Sequence, residues 1–147
     1  MFCSIVGFNW VTNYDQSYIG TFIGLTTSEI LLIRSEAAAR IGKSAIALAG
    51  INLLRQHRFA PENYQEVQWG NAILLQEILK ERRKELVFRG RRWADVKRLN
   101  QEAATQRTLT RTVEGQSYQL APGSLKFAAL IPQLVTQLNP TIEQNKR

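Results

Sequence analysis

Glu81 and Glu85 stand one helical turn apart in the stretch from Ile78 to Arg98, where charge is densest. Paired carboxylates are the equipment of acid/base hydrolysis. A glycosidase, however, needs two carboxyls facing each other across a cleft, about 5–10 Å apart. Two glutamates on one helix, among Arg82, Arg83, Arg89, Arg91, Arg92 and Arg98, suit ion pairing instead. The expectation is a structural clasp made of Glu81, Arg82, Glu85, Arg92, Asp95 and Arg98. Its charge-assisted hydrogen bonds, accepted by Glu81 and Glu85 from Arg92 or Arg98, would lock a short helix after Gly90 onto the long helix before it. On this reading Glu85→Gln lowers the melting temperature. No residue is assigned a catalytic role, and the protein is read as not an enzyme.

The same stretch holds nine of the 19 basic residues against three acids, so most of the net charge of +7 resides there. A basic balance of this size suits a phosphate partner. Against it, the cations alternate with Glu81, Glu85 and Asp95, and no nucleic-acid motif is present. The sequence contains neither a phosphate-binding glycine loop nor a dinucleotide fingerprint. His57 is the single histidine and Cys3 the single cysteine. Histidine or multi-cysteine metal sites, disulfide frameworks and Ser/His/Asp triads with a second candidate base are thereby excluded. No metal and no cofactor is expected, and Cys3 reads as an incidental thiol.

Aromatic residues in loops can present flat faces to pyranose rings. Trp10, Tyr14, Tyr64 and Trp69 occupy such positions and are the candidate ligand-binding residues. Trp93, in a short helix behind a glycine turn, reads as an anchor on the core.

With 147 residues, 44% hydrophobic and 21% charged, the chain has the size and balance of one globular domain. No run reaches the roughly 18 apolar residues of a spanning helix. The first ten residues lack the basic and apolar regions of a signal peptide. If the mature protein is exported, either a signal has been removed or the chain is a fragment.

The elements that must position these residues follow from periodicity. Residues 1–25 read as an irregular lead-in, 26–100 as helical and 101–147 as a mixed extension. Thr26-Thr27-Ser28-Glu29 is a capping-box pattern opening a helix over 27–41, with Ile30, Leu31, Ile33, Ala37, Ala38 and Ile41 on its inner side. Gly42 stops it, and Ser44 caps a second helix to about residue 57 carrying Ile46, Ala47, Ala49, Gly50, Leu53 and Leu54. So short a turn makes the two antiparallel, a helical hairpin of the tetratricopeptide kind. One such unit cannot bury its own faces, so further helices must pack beside it. A third helix runs from Asn71 to Phe88 with Leu75, Ile78, Leu79, Arg82 and Leu86 in a stripe. Gly90 ends it, and a short helix follows over 91–99. Thr108–Val113 and Ser117–Leu120 flank Glu114-Gly115 as a β-hairpin. Leu125–Ile131 reads as a further extended run, with a short helical turn after Pro132. The fold class is mainly α: tetratricopeptide-like hairpins with a small β-hairpin-containing C-terminal extension.

Three blocks, in order, resemble the SusD/RagB family. The first is the hairpin from Glu29 to Arg58, where Asn52, Leu54, Arg55 and Arg58 agree and Ser35 stands where alanine is usual. The second is E-R-R-x-E-L, a glycine stop, then R-W-x-D-hydrophobic-x-R, at residues 81–98. The third runs from Leu130-Ile131-Pro132-Gln133 through Asn139-Pro140 to Gln144-Asn145. Arg89 and Arg91 depart from the family's usual acid and histidine beside the glycine, and Thr136 and Gln137 depart near its usual acid. The resemblance covers about residues 25–145 and implies the C-terminal part of a longer protein. It implies a helical cell-surface lipoprotein of the outer membrane, anchored through the full-length protein rather than through this segment. It further implies a TonB-dependent SusC-like transporter as partner and a glycan or other nutrient as ligand, with no nucleic acid. The alternative is a tetratricopeptide-like protein-interaction module without a small-molecule ligand of its own.

Overall fold

The computed structural model describes residues 26–147. They fall into two compact units, one closing at Arg89 and the other running from Gly90 to Arg147.

The first unit is three helices. Helix α1 spans Thr27–Arg40, α2 Ser44–Gln56 and α3 Asn71–Glu85. Thr26 caps α1 as its spacing predicts, its hydroxyl accepting from the Glu29 amide at 3.3 Å. At the other end Gly42 takes φ +74°. Its amide donates to Ala39 and that of Lys43 to Ala38, so the last carbonyls are satisfied and the chain reverses. Ser44 differs from its expected part. Lys43 occupies the cap position, and the Ser44 hydroxyl donates instead to Asn71 Oδ1 at 2.6 Å, joining the starts of α2 and α3. Helix α3 stops at Glu85, three residues before the expected end. Both Phe88 (φ 62°) and Gly90 (φ 68°) are left-handed in the turn that follows.

Leu32, Ala47, Ile51, Leu54, Leu74, Ile78 and Leu86 form the core of this unit. The face that α1 buries is not the one its isoleucines suggest. Leu32, Ser35, Glu36 and Ala38 turn inward, while Ile30, Ile33 and Ile41 are 54%, 50% and 67% exposed. On α2, likewise, Ala47, Gly50, Ile51 and Leu54 are buried, and Ile46 and Leu53 lie outward. Close approach of small residues and an ion pair set this rotation. A Cβ on Gly50 would lie 2.3 Å from Ser35 Oγ, so the two helices meet at their smallest side chains.

This contact yields a coupled prediction. Gly50→Ala gains about 1 kcal/mol of helix propensity, yet the clash with the buried Ser35 hydroxyl costs roughly 1–3 kcal/mol. The net expectation is destabilisation. Ser35 Oγ is buried without a hydrogen-bond partner, so Ser35→Ala stabilises by about 1 kcal/mol or more. In that background the next neighbours of a new Cβ lie at 3.6 Å, an ordinary contact. Gly50→Ala should then become neutral or stabilising. Additive effects in a denaturant double-mutant cycle would contradict the contact.

The second unit holds helix α4 (Arg92–Leu99), strands β1 (Leu109–Val113) and β2 (Gln116–Leu120), and helix α5 (Gln133–Leu138). The strands pair antiparallel with Leu109 opposite Leu120 and Val113 opposite Gln116. Glu114 (φ 49°) and Gly115 (φ 78°) are both left-handed, as a two-residue turn matched to strand twist requires. Leu125–Ile131 is not simply extended: it opens with a 3-10 turn, Leu125–Phe127, capped by the Ser124 hydroxyl on the Lys126 amide. The fold is mainly helical with a small two-stranded sheet toward the C-terminus, as the periodicity predicts.

Candidate functional site

The loop between α2 and α3, residues 57–70, carries two of the four candidate ligand residues, Tyr64 and Trp69. Trp10 and Tyr14 lie outside the described residues. Free loops of this length do not hold aromatic faces in place; here one buried side chain does. Asn52, on the inner face of α2, is 8% exposed. Its Nδ2 donates to Val67 O at 3.0 Å, and its Oδ1 accepts from Val67 N at 3.0 Å. A carboxamide offers one donor and one acceptor side by side, the same pattern as a backbone peptide group. Asn52 therefore pairs the loop as a neighbouring strand would. Its Nδ2 also reaches Glu66 Oε1 at 3.2 Å, and the Tyr64 hydroxyl donates to Asn52 O at 3.4 Å. Val67 and Trp69 pack, half-buried, on the core. Tyr64 is half-buried too, so each aromatic is tethered on one side and keeps part of its ring in solvent. At the loop's entry the Arg55 guanidinium sits 4.8 Å over the exposed Phe59 ring.

Beneath this loop the three helices are tied by charge. Glu29 on α1 meets Arg82 on α3 at 3.6 Å, with side chains only 7% and 9% exposed. Glu85 receives both Nε and Nη2 of Arg58, at 3.0 and 2.6 Å. Glu81 accepts from Lys84 at 2.7 Å and lies 3.6 Å from Arg55. Glu81 and Glu85 thus meet Arg55 on α2 and Arg58 just past its end, cations that their spacing in the sequence does not point to. Asp95 pairs with Arg98 one turn along α4, at 3.3 Å. Arg92 is half-buried at the start of α4. Two carboxylates engaged by guanidinium and ammonium groups, on one helix, are equipped to hold helices together.

A hollow of about 470 Å³ opens at the start of α1, lined by Thr26, Thr27, Ser28, Arg58, Glu85 and Arg89. The second unit has its own, about 760 Å³, with Lys97, Gln101, Gln106, Ser124 and Leu125 among its walls. There the carboxamide device recurs. Asn100 is buried, donates to Arg107 O at 3.2 Å and accepts from Arg107 N at 2.8 Å. Gln144 grips Ile131 in the same way, accepting from its amide at 2.8 Å and donating to its carbonyl at 3.0 Å. Trp93 donates from Nε1 to Phe127 O at 3.1 Å, with ring centroids 5.1 Å apart. It anchors the 3-10 turn, and half of its surface remains exposed.

Sequence reasoning missed these amide clamps. The available signal was Asn52 itself, an amide inside the stripe of Ile51 and Leu54, which could be buried only if its hydrogen bonds were met. Among the described residues no helix is long and apolar enough to cross a membrane. In comparison with known proteins, the model of the SusD family matches residues 20–146. No curated protein matches the chain.

Proposed function

The chain belongs to the SusD family, and on that premise we propose that it is a non-catalytic binding component of an outer-membrane uptake system. The family is one of generally non-catalytic nutrient-binding proteins, typically associated with the outer membrane and working with SusC-type transporters. The finer reading is that the three-helix unit is a rigid platform seated on a TonB-dependent SusC-like transporter. Its loop aromatics hold a glycan or other nutrient over the transporter's mouth. Trp10, Tyr14, Tyr64 and Trp69 are the proposed contacts, and membrane attachment comes through the full-length lipoprotein.

The observation that carries this reading is the family match running through both units. The Asn52 tether supports it locally, because it fixes the loop at Val67 and Tyr64 and so lowers the ordering cost of binding. Affinity electrophoresis against a polysaccharide panel tests it. One glycan should retard the protein, and Tyr64→Ala should reduce that retardation while leaving the circular dichroism spectrum intact. Retardation by no glycan, with a transporter pull-down still positive, would favour the protein-interaction module without its own ligand.

A further inference from the structure

The hollow of the second unit joins apolar walls to hydrogen-bonding groups and carries a single charge. Phe127, which is buried, and Leu125, which is 60% exposed, are its large apolar side chains. Lys97, Gln101, Gln106 and Ser124 are its polar ones, and no acid lines it. Among the described residues the Lys97 ammonium makes no ion pair and the Gln101 carboxamide no hydrogen bond. The walls are held from behind. Trp93 Nε1 donates to the Phe127 carbonyl, the buried Asn100 clamps Arg107, and Gln106 Nε2 donates to the Asn100 carbonyl at 3.1 Å. The Ser124 hydroxyl accepts from the Lys126 amide and keeps its own proton to donate. At about 760 Å³ the hollow has the size of a small-molecule site.

We propose that this hollow binds a small hydroxylated carboxylate of the hexuronate class. Lys97 receives the carboxylate in a charge-assisted hydrogen bond. The carboxamides of Gln101 and Gln106 present donor and acceptor together, which suits hydroxyls that are both at once. Leu125 and Phe127 take the C–H face of the ring out of water. Other anions fit the lining less well. A zwitterionic amino acid would bring an ammonium to a hollow without a carboxylate, and a phosphate monoester carries more negative charge than one lysine balances. An alkyl carboxylate would leave both carboxamides unmatched. The site lies in a different unit from Tyr64 and Trp69 and does not rest on the ligand reading above.

The test titrates galacturonate into the full chain and follows the side-chain amide signals of Gln101 and Gln106 by heteronuclear NMR. Both should shift and saturate. Methyl galacturonate, the uncharged ester, should bind about tenfold more weakly, the loss expected for a hydrogen bond to a charged group. Hexanoate, a carboxylate without hydroxyls, should also be weaker. Lys97 is exposed, so Lys97→Gln should keep the circular dichroism spectrum and lose the preference for acid over ester. Leu125→Asp, which sets a carboxylate in the hollow, should abolish the shifts. Tyr64→Ala should leave the titration unchanged, which separates a failure of this site from a failure of the loop. Absence of shifts at Gln101 and Gln106, equal binding of acid and ester, equal binding of hexanoate, or an intact preference in Lys97→Gln would each overturn the proposal.

Discussion

Arg82→Met should lower the stability of the three-helix unit by about 3–5 kcal/mol, the cost of leaving one half of a buried ion pair alone. Glu29 and Arg82 come from different helices, α1 and α3, and both are nearly sealed from solvent. Methionine preserves most of the arginine stem, so the core around Ile78 loses little packing. What it removes is the positive charge beside a carboxylate only 5% exposed. Each kcal/mol lowers Tm by about 4–8 °C in a unit of this size. Adding Glu29→Gln to Arg82→Met should recover a good part of the loss, because no bare charge then remains. Urea denaturation with an unchanged slope is the measurement. A single-variant loss below about 1 kcal/mol, the value of a solvated pair, would contradict the burial. Glu85→Gln, the variant that the sequence alone singles out, should do less. Its partner Arg58 is 51% exposed, and such pairs contribute up to about 1 kcal/mol.

Asn52→Leu is the second large effect. Leucine fits the volume but offers neither donor nor acceptor, so Val67 N–H and C=O both lose their partner. Each buried orphan costs roughly 1–3 kcal/mol. Because the loop can swing toward water, the expected total is about 2–3 kcal/mol. Its local signature distinguishes it from a core defect: the Val67 amide should lose hydrogen-exchange protection, and trypsin should cut at Arg58 faster, while Ile78 in α3 keeps its protection. Asn52→Asp keeps the acceptor for Val67 N but turns an oxygen toward Val67 O and Glu66 Oε1. It should be no better than leucine. Wild-type protection at Val67 in either variant would show that the clamp does not hold the loop. If glycan retardation is also lost in Asn52→Leu, the tether matters for the proposed ligand contacts as well.

The elements of this protein were legible in its sequence because local signals agree. Thr26 and Gly42 bracket α1, and Glu114-Gly115 marks a turn between two short β-forming runs. Helix α3 follows its 3.6-residue stripe in burying Ile78, Arg82 and Leu86, but Leu74 is sealed as well while Leu75 and Leu79 of the expected stripe are half-buried. Family motifs at residues 29–58, 81–98 and 130–145 pointed to the SusD family, and the match over residues 20–146 bears that out. The candidate site was less legible. Loop aromatics can be listed from a sequence, but whether they are tethered depends on an amide twelve or more positions away.

The densest charge in the chain makes the same point. Glu81 and Glu85 were recognisable from sequence as ion-pairing groups rather than a hydrolytic pair, since same-helix carboxylates among arginines cannot face each other across a bond. Which cations they meet was a tertiary decision: Arg55 on α2 and Arg58 just past it, the latter 27 positions before its partner, reach them because α2 lies beside α3. So was the rotation of α1. Its periodicity points to the face of the isoleucines, and the structure buries the other. The Gly50–Ser35 approach and the Glu29–Arg82 pair turned Leu32 inward and left Ile30, Ile33 and Ile41 outside. Secondary structure and family follow from signals within a few residues of each other. The buried face, the partners of each charge and the anchoring of the loop depend on contacts between helices, which no local spacing records.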